Sequence, residues 1–214
     1  MKTAILHFWG AAGCVTGSKF LLETPNSKIL IDCGLFQGLK EKRLLNRNPW
    51  PISPEQIDAV VLTHGHLDHV GQLPRLVRDG FRGPIYATAP TIEVARIILE
   101  DSAEIQVEEA EKAAQEGYSK HQKPEPLYTP ADVEACLPLF KTIPQDQWHG
   151  LGTGLKLRFR YNGHILGATF VELDANGKRF VFSGDIGRRQ DRLMFPPERP
   201  DSADVLILES TYGN

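Results

Sequence analysis

No apolar run in the 214-residue chain approaches the roughly 20 residues that a membrane-spanning helix needs, so no membrane partner is expected. Cysteine is scarce. Cys14, Cys33 and Cys136 are odd in number, lie far apart and form no Cys-x-x-Cys pair. This excludes a disulfide scaffold, and the expectation is reduced thiols in a cytoplasmic compartment. The opening residues Met1-Lys2-Thr3-Ala4-Ile5-Leu6-His7 lack both a long apolar stretch and a small-residue cleavage site, and do not read as a signal peptide. Internal repeats, low-complexity tracts and clear linkers are also missing. Net charge is only −3, which by itself selects no partner.

What is present is the composition of a globular protein, 41% hydrophobic and 24% charged. The length suits one large domain, or two small ones, with a sizeable buried core. Charge is segregated along the chain. Residues 93–116 hold eight acidic and two basic side chains, 40–47 four basic and one acidic, and 178–192 five basic and two acidic. Segregation leaves an anionic substrate open, with scattered solvated charge as the alternative. For 93–116 a solvated helix face is the simpler reading.

Strand signals occur at residues 4–9, at 19–23 and 29–31 around Thr24-Pro25-Asn26-Ser27, at 59–62 and at 85–88. A helical region spans 90–116, with Val94, Ile98, Ile105 and Ala113 among many glutamates. Thr129 as N-cap and Pro130 at the first helical position open a short helix. Strands return at 155–160, at 168–173 and 179–183 around Asp174-Ala175-Asn176-Gly177, and at 205–208; the Asn-Gly pair is a strong hairpin signal. This order suits an α/β protein in which two sheets pack face to face with helices outside.

The chemistry concentrates in Thr63-His64-Gly65-His66-Leu67-Asp68-His69, which places three histidines and a carboxylate directly after a buried strand. An extended segment points His64 and His66 the same way, and Asp68 and His69 then turn to another side. Imidazole and carboxylate are the donors of catalytic zinc, and the lack of cysteine ligands argues against a closed structural site. Further donors must come from elsewhere. His164, in Asn162-Gly163-His164-Ile165-Leu166-Gly167, and Asp185, in Ser183-Gly184-Asp185-Ile186-Gly187, each sit beside glycine at a strand end, where backbone can approach a metal closely.

The ordered set His64, His66, Asp68, His69, His164 and Asp185 resembles the ligands of the metallo-β-lactamase superfamily. That resemblance implies a four-layer αβ/βα sandwich. It also implies that His64, His66 and His164 hold one metal, that Asp68 and His69 hold a second, and that Asp185 bridges the two. Zn2+ is the expected cofactor, two per chain. Asp32, at the end of the strand Ile29-Leu30-Ile31, matches the superfamily's first motif and is expected to support the site, with a plain turn residue as the alternative.

Four further segments are similar to the β-CASP nucleases, in that group's order: Gly13-Cys14-Val15-Thr16-Gly17-Ser18, Asp32-Cys33-Gly34-Leu35-Phe36-Gln37-Gly38, Gly163-His164-Ile165-Leu166-Gly167-Ala168 and Glu209-Ser210-Thr211-Tyr212-Gly213-Asn214. By resemblance Glu209 acts near the metals or in proton handling; as a bare feature it equally suits a helix-initiating acid. Asp68, Asp32 and Glu209 are thus the candidate catalytic carboxylates. Residues 1–214 match the N-terminal portion of the hydrolase domain. The β-CASP insert, two later histidine motifs and the terminal strands have no counterpart, and one of those histidines completes the second metal's shell in the family. The sandwich is therefore expected to be incomplete at the C-terminus, with a homodimer or partner chain as a way to complete it.

The implied activity is hydrolysis of single-stranded RNA by a hydroxide shared between two metals ~3.5–4 Å apart. The basic segments 40–47 and 178–192 are candidates for phosphate contact, and Phe36, Trp50 and Tyr212 for stacking on bases, with a core role as the alternative for the aromatics. A small-molecule ester, thioester or lactam substrate on the same scaffold, and an inactive RNA-binding or scaffold domain, are the competing readings.

Overall fold

The computed structural model describes residues 4–116, 124–152, 154–211 and 213. Six strands form the first sheet in spatial order β1 to β6: β1 (Ile5–Phe8), β2 (Phe20–Thr24), β3 (Ser27–Ile31), β4 (Ala59–Val61), β5 (Ile85–Ala87) and β6 (Phe140–Thr142). The β1-β2-β3 meander is antiparallel; from β3 to β6 the strands run parallel. Parallel neighbours need crossover connections, and helices supply them. These are α1 (Lys40–Leu44), α2 (Leu67–Val70), α3 (Leu73–Arg78), α4 (Ala89–Glu116) and α5 (Pro130–Cys136). The second sheet has the order β11-β10-β9-β8-β7, from β7 (His149–Gly150), β8 (Leu155–Tyr161), β9 (Thr169–Ala175), β10 (Lys178–Phe182) and β11 (Val205–Ile207). Its β7 to β10 pairs are antiparallel, and β11 joins β10 in parallel.

Period-two alternation sorts the first sheet's side chains into two cores. Leu21, Leu30, Val60 and Ile85 face the helices, where they pack with Leu73, Leu76, Phe81, Leu99 and Tyr128. Their chain neighbours Leu22, Ile29, Ile31 and Val61 face the second sheet and meet Leu157, Phe159, Val171, Leu173 and Phe182. The run 59–62 is therefore apolar because both of its faces are buried. Each such side chain contributes about 1.5–3 kcal/mol on burial, so the first sheet anchors both cores.

The expected hairpins are present. Thr24 pairs with Ser27 across Pro25-Asn26, and the β9–β10 turn places Asn176 and Gly177 at φ 56° and 85°. Helix α5 starts as expected, with the Thr129 N–H donating to Asp132 Oδ2 at 2.8 Å. Helix α4 forms where the helical region was expected, over Ala89–Glu116. Thr91, Ala95, Leu99, Ser102 and Ala103 turn inward, whereas Ile105 is exposed and Val94 and Ile98 are half-buried.

Among the described residues the layers are helices, sheet and sheet. The outward face of the second sheet carries no helix there. It is a charged surface, on which Arg158 meets the fully buried Glu172 at 2.5 Å and Asp201 at 3.1 Å. All three cysteines are free, and burial pushes the Cys33 thiol up to about 12. No helix among the described residues is long and apolar enough to cross a membrane.

Candidate metal centre

The predicted site residues follow the carboxyl ends of strands: Asp32 after β3, His64 after β4, His164 after β8, Asp185 after β10 and Glu209 after β11. Two sheets thus aim their strand ends at one pocket. His64 and His66 leave β4 in an extended path, and His66 then caps α2, whose single turn carries Asp68 and His69. Helix α4 lies directly against this path. A Cβ on Gly65 would meet Val94 Cγ1 at 2.7 Å, so only glycine fits between the two histidines.

Four donor groups converge. The ligand atoms of His64, His66, His164 and Asp185 all lie within 4.8 Å of one another. His66 Nδ1 is 3.2 Å from His64 Nε2 and 3.1 Å from His164 Nε2. Asp185 Oδ2 is 3.7 Å from His64 Nε2 and 3.5 Å from His164 Nε2. Atoms bound at about 2.0–2.1 Å to one tetrahedral ion stand roughly 3.3 Å apart, so this donor set fits a zinc-type ion. Asp185 faces a second group with its other oxygen: Oδ1 is 3.2 Å from His69 Nε2, and Asp68 Oδ2 is 3.9 Å from that same nitrogen.

Beneath the donors lies Asp32, which is 1% exposed and held at φ 57°. That backbone conformation costs about 1–2 kcal/mol, and the hydrogen bonds of its carboxylate offset the cost. Asp32 accepts from the Thr63 N–H at 2.8 Å, from Ser18 Oγ at 3.1 Å and from His69 Nδ1 at 2.7 Å. The Thr63 hydroxyl lies 3.0 Å from Asp32 Oδ2 and 3.0 Å from His64 Nδ1. A carboxylate only accepts, so the hydroxyl donates to Asp32 and accepts from His64 Nδ1–H. One carboxylate and one hydroxyl therefore set the tautomers of both buried imidazoles, leaving each Nε2 directed at Asp185.

The electrostatics separate the two groups. Burial, then the neighbouring His69, His164 and His66, push His64 well below the usual imidazole range. Burial also lowers His164, against the pull of Asp185. Burial opposes charge on His69 as well, but Asp32 and Asp185 outweigh it and raise its pKa to about 10. For Asp185, burial works against ionisation, yet the hydrogen bond and field of His69, with His164 and His66, hold the carboxyl below its ordinary value.

A family model described as Metallo-beta-lactamase superfamily matches residues 12–211. The chain belongs to that superfamily. Ribonuclease TTHA0252 of Thermus thermophilus is 40% identical over 206 residues, covering 96% of this chain and 43% of that protein. Transcription termination factor FttA of Methanocaldococcus jannaschii is 33% identical over 215 residues, with 97% and 31% covered. Cleavage and polyadenylation specificity factor 73 of Drosophila melanogaster is 33% identical over 208 residues, with 95% and 28% covered. The chain spans less than half the length of each of these relatives. A solved Cronobacter sakazakii metallo-β-lactamase with a HARLDQ motif shares the fold at TM-score 0.51 and 21% identity, covering 88% of this chain and 62% of that one.

In this superfamily member Glu209 sits at the rim of the pocket. Its carboxylate accepts from the Ile186 backbone N–H and, at 2.9 Å, from Thr211 Oγ1, so it braces the segment that carries Asp185. A cavity of about 410 Å³ beside the donors is lined by Asp32, His69, Asp185, Glu209, Phe8 and Cys14 among others. Of the aromatics, Phe36 is buried under the Lys19 ammonium, and Trp50 packs under Arg75 with its ring N–H on Asp79 at 2.8 Å; both serve packing. Tyr212 lies outside the described residues. Sequence reasoning missed Thr63 and Asn162. Thr63 directly precedes His64, and that adjacency was the one available signal.

Proposed function

We propose that the chain carries the catalytic metal centre of a β-CASP-type ribonuclease that hydrolyses phosphodiesters of single-stranded RNA. The observation that carries this reading is the Asp185 carboxylate, whose two oxygens face separate donor groups, His64 with His164 on one side and His69 on the other. His64, His66 and His164 would hold one ion, Asp68 and His69 a second, and Asp185 both. When bound, the two divalent ions, zinc by the match to imidazole and carboxylate donors, would acidify a water and neutralise charge on the phosphodiester.

The chain's own groups do the rest. Asp32 and Thr63 orient the imidazoles of His64 and His69 so that each presents Nε2. Glu209 holds the Asp185 segment, and its position at the cavity rim supports, on this reading, a part in proton handling. Arg188, Arg189 and Arg192 are exposed just beyond Asp185, where they can contact phosphates. The likeness to a protein named ribonuclease supports an RNA substrate over a small ester or lactam. Zinc- or manganese-loaded protein incubated with labelled single-stranded RNA tests the proposal. Cleavage should stop on chelation and fall sharply in Asp68→Ala; equal cleavage by parent and Asp68→Ala would end the nuclease reading.

A further inference from the structure

His164 and Asp185 reach the pocket from two separate connections, β8–β9 and β10–β11, and their side chains must stand 3.5 Å apart. Neither connection contains regular structure that would fix this spacing. One buried side chain joins them. Asn162, 1% exposed, donates from Nδ2 to the Ser183 carbonyl at 3.1 Å and to the Asp185 carbonyl at 2.8 Å. Its Oδ1 accepts from the His164 N–H at 3.3 Å, and its backbone carbonyl accepts from the Gly187 N–H at 2.9 Å. The orientation of the amide is determined by its partners: reversed, its oxygen would face two carbonyl oxygens and its NH2 a backbone N–H.

We infer that Asn162 is a positioning residue that ties the His164 and Asp185 segments into one body, so that the spacing of these two donors depends on its amide. This role rests on the metal-centre reading and is independent of the RNA substrate. In a buried site, three hydrogen bonds from one planar group set both distance and angle, and groups that orient ligands typically govern about 10–100-fold in metal affinity. Asparagine is the residue type the geometry requires. Aspartate has the same shape but presents oxygen to the two carbonyls and lacks the donors; alanine leaves both carbonyls and the His164 N–H without their partners.

The test compares the parent with Asn162→Ala and Asn162→Asp, and with Asn162→Ser as a smaller perturbation that keeps one donor. Three quantities are read: far-UV circular dichroism and thermal midpoint in chelator, cobalt(II) affinity by competition titration, and the visible ligand-field spectrum of the cobalt form. The expected result is a folded apo protein, cobalt bound roughly 10–100-fold more weakly in the alanine and aspartate variants, a smaller loss in the serine variant, and a shifted spectrum. Parent-like affinity and spectrum in folded Asn162→Ala would overturn the proposal. So would unfolding of all three variants in chelator, which would make Asn162 a determinant of the fold. A parent that binds no cobalt would instead overturn the metal-centre reading, so the two failures are separable.

Discussion

The two halves of the candidate centre are built by opposite means. On one side three imidazoles, His64, His66 and His164, converge with one oxygen of the Asp185 carboxylate, and burial holds His64 and His164 below the usual imidazole range. On the other side His69 lies between Asp32 and Asp185, which raise it to about 10. Without metal, the first half holds its imidazoles nitrogen to nitrogen, with His66 Nδ1 facing both His64 Nε2 and His164 Nε2. The second half favours a protonated His69, so on the proposed reading a metal would enter there by displacing that proton. On the proposed two-metal reading, shared donors would not make equivalent sites: the first half would receive an ion directly, and the second would exchange one against H⁺.

The largest expected effect comes from the residue both halves share. Asp185→Ala should remove donors from both and lower RNA cleavage by a factor on the order of 10³ or more, with metal content by elemental analysis falling below that of the parent. Loss of just one ion with cleavage intact would break the picture of a bridging carboxylate. Next in size is Asp32→Asn, which keeps a residue type that tolerates positive φ but weakens the hold on His69. Affinity for the second ion should fall by roughly 10–100-fold while the first stays within about threefold of the parent, read by two-phase zinc titration. Equal losses at both would show that the halves are not separately supported.

A third contrast is in pH dependence, measured on the chelated protein. His69 is raised from 6.5 to about 10, so its contribution to stability is complete below pH 6.5 and is lost as pH rises toward 10. His64 is lowered, so the fold resists its protonation and stability is lost as pH falls below 6.5. Denaturant midpoints from pH 6.5 to 8 should decline in the parent and flatten in His69→Gln. A parent-like decline in that variant would contradict the assignment. Lys19, lowered to about 8 by burial, begins to titrate at the top of this window in parent and variant alike, so their difference isolates His69; the thiols of Cys33 and Cys136, pushed up to about 12, contribute above the window.

The smallest effect concerns the two basic segments. Arg188 and Arg189 are exposed beside Asp185, whereas Lys40, Arg43 and Arg47 line a separate groove against α4 that shares no wall with the cavity at the donors. Neutralising Arg188 and Arg189 should weaken RNA binding modestly and lower the salt-dependence slope by about 1 for each phosphate that no longer meets an arginine. The same change at Lys40 and Arg43 should leave both unaltered in filter-binding assays.

Much of this was legible in the sequence because local rules and the fold agree. The strands at 19–23, 29–31, 155–160, 168–173 and 179–183, the Asn176-Gly177 turn and the Thr129-Pro130 start all emerge as expected, and His64, His66, His164 and Asp185 come together. The parallel order of β3 to β6 was not legible, because pairing between β4, β5 and β6 depends on crossovers that no short-range pattern encodes. Helices α2 and α3 were hidden within the motif and its apolar sequel, being too short to show a period. Strands β6 and β7 are brief and largely exposed, so they lack a buried face to mark them. Asn162 could not be recognised at all, since its importance lies in carbonyls more than 20 residues away.

Anomalous diffraction from zinc-soaked crystals bears most directly on the centre. The expected map holds two peaks ~3.5–4 Å apart, one among His64, His66 and His164 and one beside Asp68 and His69, with an oxygen of Asp185 at each. A single peak, or peaks that leave Asp185 uncoordinated, would contradict the two-half architecture.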